Sequence, residues 1–134
     1  MTIQFVVPVD CRPSPRVKGG SIRYYMPDWY KELKQTIGWY AQKAMRGRPP
    51  ARSAVAVEIL CFRNKNPLDR SFGDIDNLFK TIGDALNEIC YDDDAQIISL
   101  KMRIARGAPQ IYVKIKTCAE DISDKLLDNP HQII

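Results

Sequence analysis

Gly73-Asp74-Ile75-Asp76-Asn77-Leu78-Phe79-Lys80, continued by Asp84-Ala85-Leu86-Asn87 and by Tyr91-Asp92-Asp93-Asp94-Ala95-Gln96-Ile97, is the stretch on which the fold turns. Leu78, Ile82, Ala85, Leu86 and Ile89 recur at helical spacing, in an apolar stripe about 100° wide that suits packing on a sheet. Asp76, Asn77, Lys80, Asp84 and Asn87 fall on the opposite face. A helix is therefore predicted over about 75–89, displaying its carboxylates outward, followed by an acidic turn that leads straight into a strand. The quoted residues hold six aspartates and one lysine. Carboxylates brought together repel one another, and a hard divalent ion with oxygen ligands is the usual partner that offsets the charge.

The flanking sequence supplies a sheet and a second helix. Residues 3–9 are β-branched and aromatic and read as a first strand ending near Pro8. Pro27 opens a helix to Arg46, with Gly47 as its stop. Trp29, Leu33, Ile37, Tyr40, Ala41 and Ala44 form its buried stripe, and Trp39 points away from it, toward a subunit contact, nucleic acid or solvent. The nearly continuous hydrophobicity of 55–62 marks a central strand. Strands 97–105 and 110–116 flank the turn-forming Arg106-Gly107-Ala108-Pro109 and are expected to pair as a hairpin. The fold class is α+β, a small mixed sheet of about four strands packed with two main helices. One domain, 1–118, precedes an acidic tail or weak helix, 119–134.

With 134 residues, 45% hydrophobic and 27% charged, the chain is one ordinary globular domain. It has no apolar run long enough to span a bilayer and no basic leader, so a cytoplasmic location without membrane contact is expected. Cys11, Cys61, Cys90 and Cys118 lack zinc spacing and read as reduced, buried thiols; His131 alone in the tail is poorly placed for catalysis. The tail carries a net −3, which leaves +7 on the body out of +4 overall. A basic body around an acidic cluster suits an enzyme on a phosphate polymer, although a solvated basic surface would look the same.

Each acidic piece has a plainer reading. Asp74 or Asp76 can cap the helix, and Asp92 to Asp94 can be a simple turn. Lys80, one turn beyond Asp76, can form an ordinary i,i+4 ion pair, the better choice in isolation, or stabilise charge on a phosphate. A calcium loop of the EF-hand kind is disfavoured, because its sixth position is Phe79 and its seventh Lys80.

The whole pattern D-x-D-N-x-x-K-x-x-x-D-A-L with Y-x-D-D-x-Q-I, carried by Asp74, Asp76, Asn77, Lys80, Asp84 to Leu86, Tyr91, Asp93, Asp94, Gln96 and Ile97, is far more specific. It resembles the RusA family of Holliday junction resolvases, endonucleases of bacteria and their phages. The loop with Arg12, Pro13, Pro15, Arg16 and Lys18 is similar to the segment after that family's first strand. The resemblance implies a homodimer that uses magnesium or manganese, without a nucleotide cofactor, to cut four-way junction DNA with paired nicks in recombination and repair, for a chromosome or a prophage. It implies that Asp74, Asp76 and Asp94 are catalytic metal ligands, that Lys80 is the catalytic lysine, and that Asp93, Asp84 and Asn77 are secondary. Distance to Gln96 selects Asp94 over Asp93 as third ligand, with Asp93 the alternative. Arg12, Arg16, Lys18, Arg23, Lys65, Arg70, Lys101 and Arg103 would contact DNA, and Phe72 is either a wedge or a core anchor. The other readings are a catalytically inactive junction or duplex binding protein and a nucleotidyltransferase, the latter without a P-loop.

Overall fold

The structure is a computed structural model that describes residues 1–15, 26–69 and 73–118. Arg16, Lys18, Arg23, Arg70, Phe72, His131 and the acidic tail lie outside the described residues. Element order is β1 (Thr2–Val7), α1 (Asp28–Met45), β2 (Val55–Arg63), α2 (Ile75–Leu86), a 3-10 turn (Asp94–Gln96), β3 (Ile97–Arg106) and β4 (Gln110–Thr117). Four strands form one mixed sheet in the order β1-β4-β2-β3, with β4 antiparallel to both neighbours and β2 parallel to β3. The expected α+β arrangement is present.

The alternation of apolar and polar residues decides which face is covered. Ile3 and Val7 on β1, Ile111, Val113 and Ile115 on β4, and Val55, Val57, Ile59 and Cys61 on β2 point to one side and are buried. Both helices pack there. α1 buries Tyr30, Ile37, Gly38, Ala41 and Met45, and α2 buries Leu78, Thr81, Ile82, Gly83, Ala85 and Leu86. Each large aliphatic side chain moved from water into this core stabilises the fold by roughly 1.5–3 kcal/mol. All four cysteines are buried free thiols. Trp29 sits nearer the edge of the α1 stripe than its spacing suggested. Tyr30, beside it, is fully buried instead.

The opposite face of the sheet carries no helix among the described residues. In register across it lie Val6, Tyr112, Leu60 and Arg103 in one row and Gln4, Lys114, Glu58 and Lys101 in the next. Residues paired across neighbouring strands point to the same side.

The expected β3–β4 hairpin does not form. Both strands pair with β2, from opposite sides, and the chain crosses the end of β2 between them. Gly107 donates its N–H to the Arg63 carbonyl at 2.8 Å, at that crossing. Two strand spacings, roughly 9.6 Å, are within reach of the short connection 107–109. A turn-forming sequence reverses the chain, but it does not require the two strands to be neighbours. The second helix also stops earlier than its apolar stripe, at Leu86, because Glu88 takes a left-handed backbone with φ 67°.

Candidate active site

Asp74 sits at the N-cap position of α2 in extended conformation, φ −80° and ψ 160°, and its side chain makes no capping hydrogen bond. Asp76 follows in the first turn, exposed. The helix is set by its neighbours rather than by a side-chain cap. Gly73, at φ +78°, lies so close to the preceding loop that a Cβ there would come within 2.8 Å of the Pro13 Cβ. Ser14 N–H donates to the Asn77 carbonyl at 3.4 Å, and the Thr81 hydroxyl donates to the Arg12 carbonyl at 2.9 Å. The start of the basic loop is thereby laid along the first half of α2.

A buried cation supports that loop from below. Arg63, 3% exposed at the end of β2, donates from its guanidinium to the Cys11 carbonyl at 2.5 Å and approaches Asp10 at 3.7 Å. Its place at the end of a hydrophobic run gave the sequence reading no reason to single it out. The period-two alternation of β2 puts it on the buried face, and that was the available signal. Arg12 is exposed, with its guanidinium stacked 3.7 Å above the Trp29 ring, a cation–π contact that fixes its direction.

Lys80 is exposed one turn beyond Asp76, and the two do not form the ion pair expected from their spacing.

The acidic turn is held by two side chains. Tyr91, fully buried, donates its hydroxyl to the Gly83 carbonyl of α2 at 3.0 Å. Gln96 accepts from Asp93 N–H at 2.9 Å, and its amide donates to the carbonyls of Ala51 and Ser53 at 2.8 and 2.9 Å. Asp93 and Gln96 form a capping box on the 3-10 turn. These motif residues therefore have structural work of their own.

The turn brings Asp93 and Asp94 together, with Asp84 close enough to Asp94 to act on its charge. The Asp94 carboxyl is held above its ordinary range by partial desolvation, by a hydrogen bond with Asp93, and by the charges of Asp93 and Asp84. Burial pushes the Tyr91 phenol up as well, with Cys90 and the same three aspartates adding to it. Asp76 and Asp84 are eight residues apart on α2, about 12 Å along its axis. Among the described residues, no three His, Cys, Asp or Glu side chains gather into a metal-binding group. Asp74 and Asp76 stand at the start of α2, and Asp94 lies within electrostatic reach of Asp93 and Asp84. Hard oxygen donors with unbalanced negative charge fit a divalent cation such as magnesium or manganese.

Of the expected DNA contacts, Lys65 is exposed between β2 and α2. Lys101 and Arg103 lie on the open face of the sheet, away from α2. Lys114 and Lys116 share that face, and Lys101 and Lys114 flank Glu58 from either side. The sequence reading missed these two lysines, although the alternation of β4 puts them opposite its buried isoleucines.

The fold is that of a small α+β protein, a four-stranded mixed sheet with two helices on one face. The family model described as endodeoxyribonuclease RusA matches residues 6–116, most of the chain, and the chain belongs to that family. It is a hydrolase acting on DNA, from a family of Holliday junction resolvase nucleases that depend on divalent metal. A search of curated proteins found no matching relative. Among the described residues no helix is long and apolar enough to cross a membrane.

Proposed function

We propose that the protein is a magnesium-dependent, structure-selective endonuclease that resolves four-way DNA junctions by paired phosphodiester hydrolysis, as a homodimer, in recombination and repair. Manganese would substitute for magnesium. Asp74, Asp76 and Asp94 are the proposed ligands, with Asp93, Asp84 and Asn77 around them. The observation that carries the reading is the match of residues 6–116 to the endodeoxyribonuclease RusA family model, and the Asp94 carboxyl, held above its ordinary range by partial desolvation and by Asp93 and Asp84, is consistent with a site that a cation would balance.

A magnesium ion bound there would polarise the scissile phosphate and supply a water of lowered pKa. Lys80, which makes no ion pair with Asp76, stabilises the charge that builds on the phosphate in the transition state. Arg12, fixed over Trp29 beside α2, holds a neighbouring phosphate. Two such sites related by a two-fold axis would match the two strands to be cut in a junction of near two-fold symmetry.

Cleavage of a synthetic mobile junction, with linear duplex as control, tests the reading. Junction product that requires magnesium and vanishes in Asp74→Asn and Asp94→Asn is expected; identical cutting by wild type and both variants would remove the site.

A second reading, a catalytically inactive junction or duplex binding protein, is favoured by one observation: no three-carboxylate group forms among the described residues of a single chain. Tight binding at physiological salt with no product under magnesium or manganese would decide for it.

A further inference from the structure

Between α1 and α2 runs an open groove of about 500 Å³, lined on the α1 side by Lys31, Lys34, Gln35 and Trp39 and on the α2 side by Asp84 and Ile89. Its composition follows from helical spacing. Lys31, Gln35, Trp39 and Lys43 recur every four residues and form one ridge, while Lys34 belongs to the adjacent row. Gly38 opens the floor, since a Cβ there would come within 3.0 Å of the Ile89 side chain.

We infer that this groove binds a DNA strand, its phosphates on Lys31 and Lys34 and an unstacked base on the indole of Trp39. The inference rests on the proposed junction nuclease and specifies where one strand of its substrate runs. Three observations support it. The indole is 50% exposed, and Lys43 lies 3.9 Å from its ring centroid. An aromatic face flanked by cations is what a strand needs, because stacking tolerates any base and cations track the backbone. The charge is right, since of the charged side chains that line the groove Lys31 and Lys34 outnumber Asp84.

Continuity with the site is the third. Asp84, on the far wall, is an electrostatic neighbour of Asp94, which links the groove to the acidic turn. Asp84 therefore faces both the groove and the acidic turn. A bound cation would remove its repulsion toward the strand.

Binding of a labelled four-way junction to the full chain is measured without divalent ions at several salt concentrations, with magnesium-dependent cleavage and the oligomeric state measured in parallel. Trp39→Ala is expected to bind about tenfold more weakly, and Trp39→Phe to retain most of the affinity. Lys31→Ala and Lys34→Ala should each lower the slope of log K against log salt by about 0.7, the increment for one phosphate contact on an unpaired strand. Thermal unfolding is followed in all four, because Trp39→Ala also gives up the edge contact with Tyr40 and Lys34→Ala the contact with the Tyr30 ring; the folded state is expected to persist in each, with at most a few degrees lost. Variant affinities and slopes equal to wild type, in a protein that cuts junctions, would overturn the groove and leave the nuclease standing. A Trp39→Ala protein that changes oligomeric state would overturn it too, by giving the indole to a protein contact. Wild type that neither binds nor cuts would sink both.

Discussion

The Tyr91 hydroxyl donates to the Gly83 carbonyl at 3.0 Å, and through this bond the acidic turn is fastened to the end of α2. That carbonyl is one of the orphan acceptors left at a helix C-terminus, because Asn87 N–H turns instead to the Asp84 carbonyl. Tyr91→Phe keeps the buried ring and removes the donor. A loss of about 1–2 kcal/mol is expected, read as a melting temperature lower by roughly 3–8 °C. Cleavage should fall further than stability explains, since Asp93 and Asp94 lose their tether. An unchanged melting temperature would show that the bond is not made in solution.

The approach of Gly73 to Pro13 makes a second test. Gly73→Ala must adopt a left-handed backbone at φ +78° and also force its Cβ against the proline ring at 2.8 Å. Gly47→Ala meets the same φ of +78° with nothing within 4 Å. The Gly47 variant should cost about 1–2 kcal/mol from conformation alone. The Gly73 variant should cost more and weaken DNA binding, because it displaces the loop that carries Arg12. Equal denaturant midpoints for the two variants would argue against the close contact.

Alkaline pH probes the buried turn. Burial pushes the Cys90 thiol up to about 12, so the folded state keeps a proton that the unfolded chain gives up near pH 8.5. Between those values the unfolded state binds fewer protons, and stability must fall as pH rises, by about 1.4 kcal/mol per pH unit from this group. Cys90→Ala should flatten the decline measured by urea unfolding from pH 9 upward. Native Cys90 should also resist thiol reagents at pH 8 and react once the chain is denatured. Rapid labelling of the native protein at Cys90 would contradict its burial.

The elements and their order were legible because each strand and helix has its own periodicity: every strand start and end lies within two residues of its expected place. Pairing was harder to read. The Arg106 to Pro109 connection has ordinary turn chemistry, and nothing local in it says that β2 will lie between the strands it joins. The same limit applies at the site. The helical period placed Asp76, Lys80 and Asp84 outward correctly, but the relation of Asp94 to them depends on how Tyr91 and Gln96 seat the turn. Those two residues stood out as motif positions, while their bonds to Gly83, Ala51 and Ser53 involve main-chain groups that carry no sequence signal.

Asp94→Asn separates the cost of crowded charge from the gain of a bound ion. In the absence of divalent ions the wild-type Asp94 is repelled by Asp93 and Asp84, so the amide variant should melt slightly higher, by about 1–2 °C for an exposed group. Magnesium reverses the order. A ligand that binds only the folded state stabilises it by about 1.4 kcal/mol at ten times its dissociation constant, and the wild type should gain that increment while the variant gains little. The variant should also fail to cut. Equal magnesium-induced shifts in both proteins, with cleavage retained by the variant, would exclude Asp94 as a ligand and move that role to Asp93, whose own Asn variant would then show the missing shift.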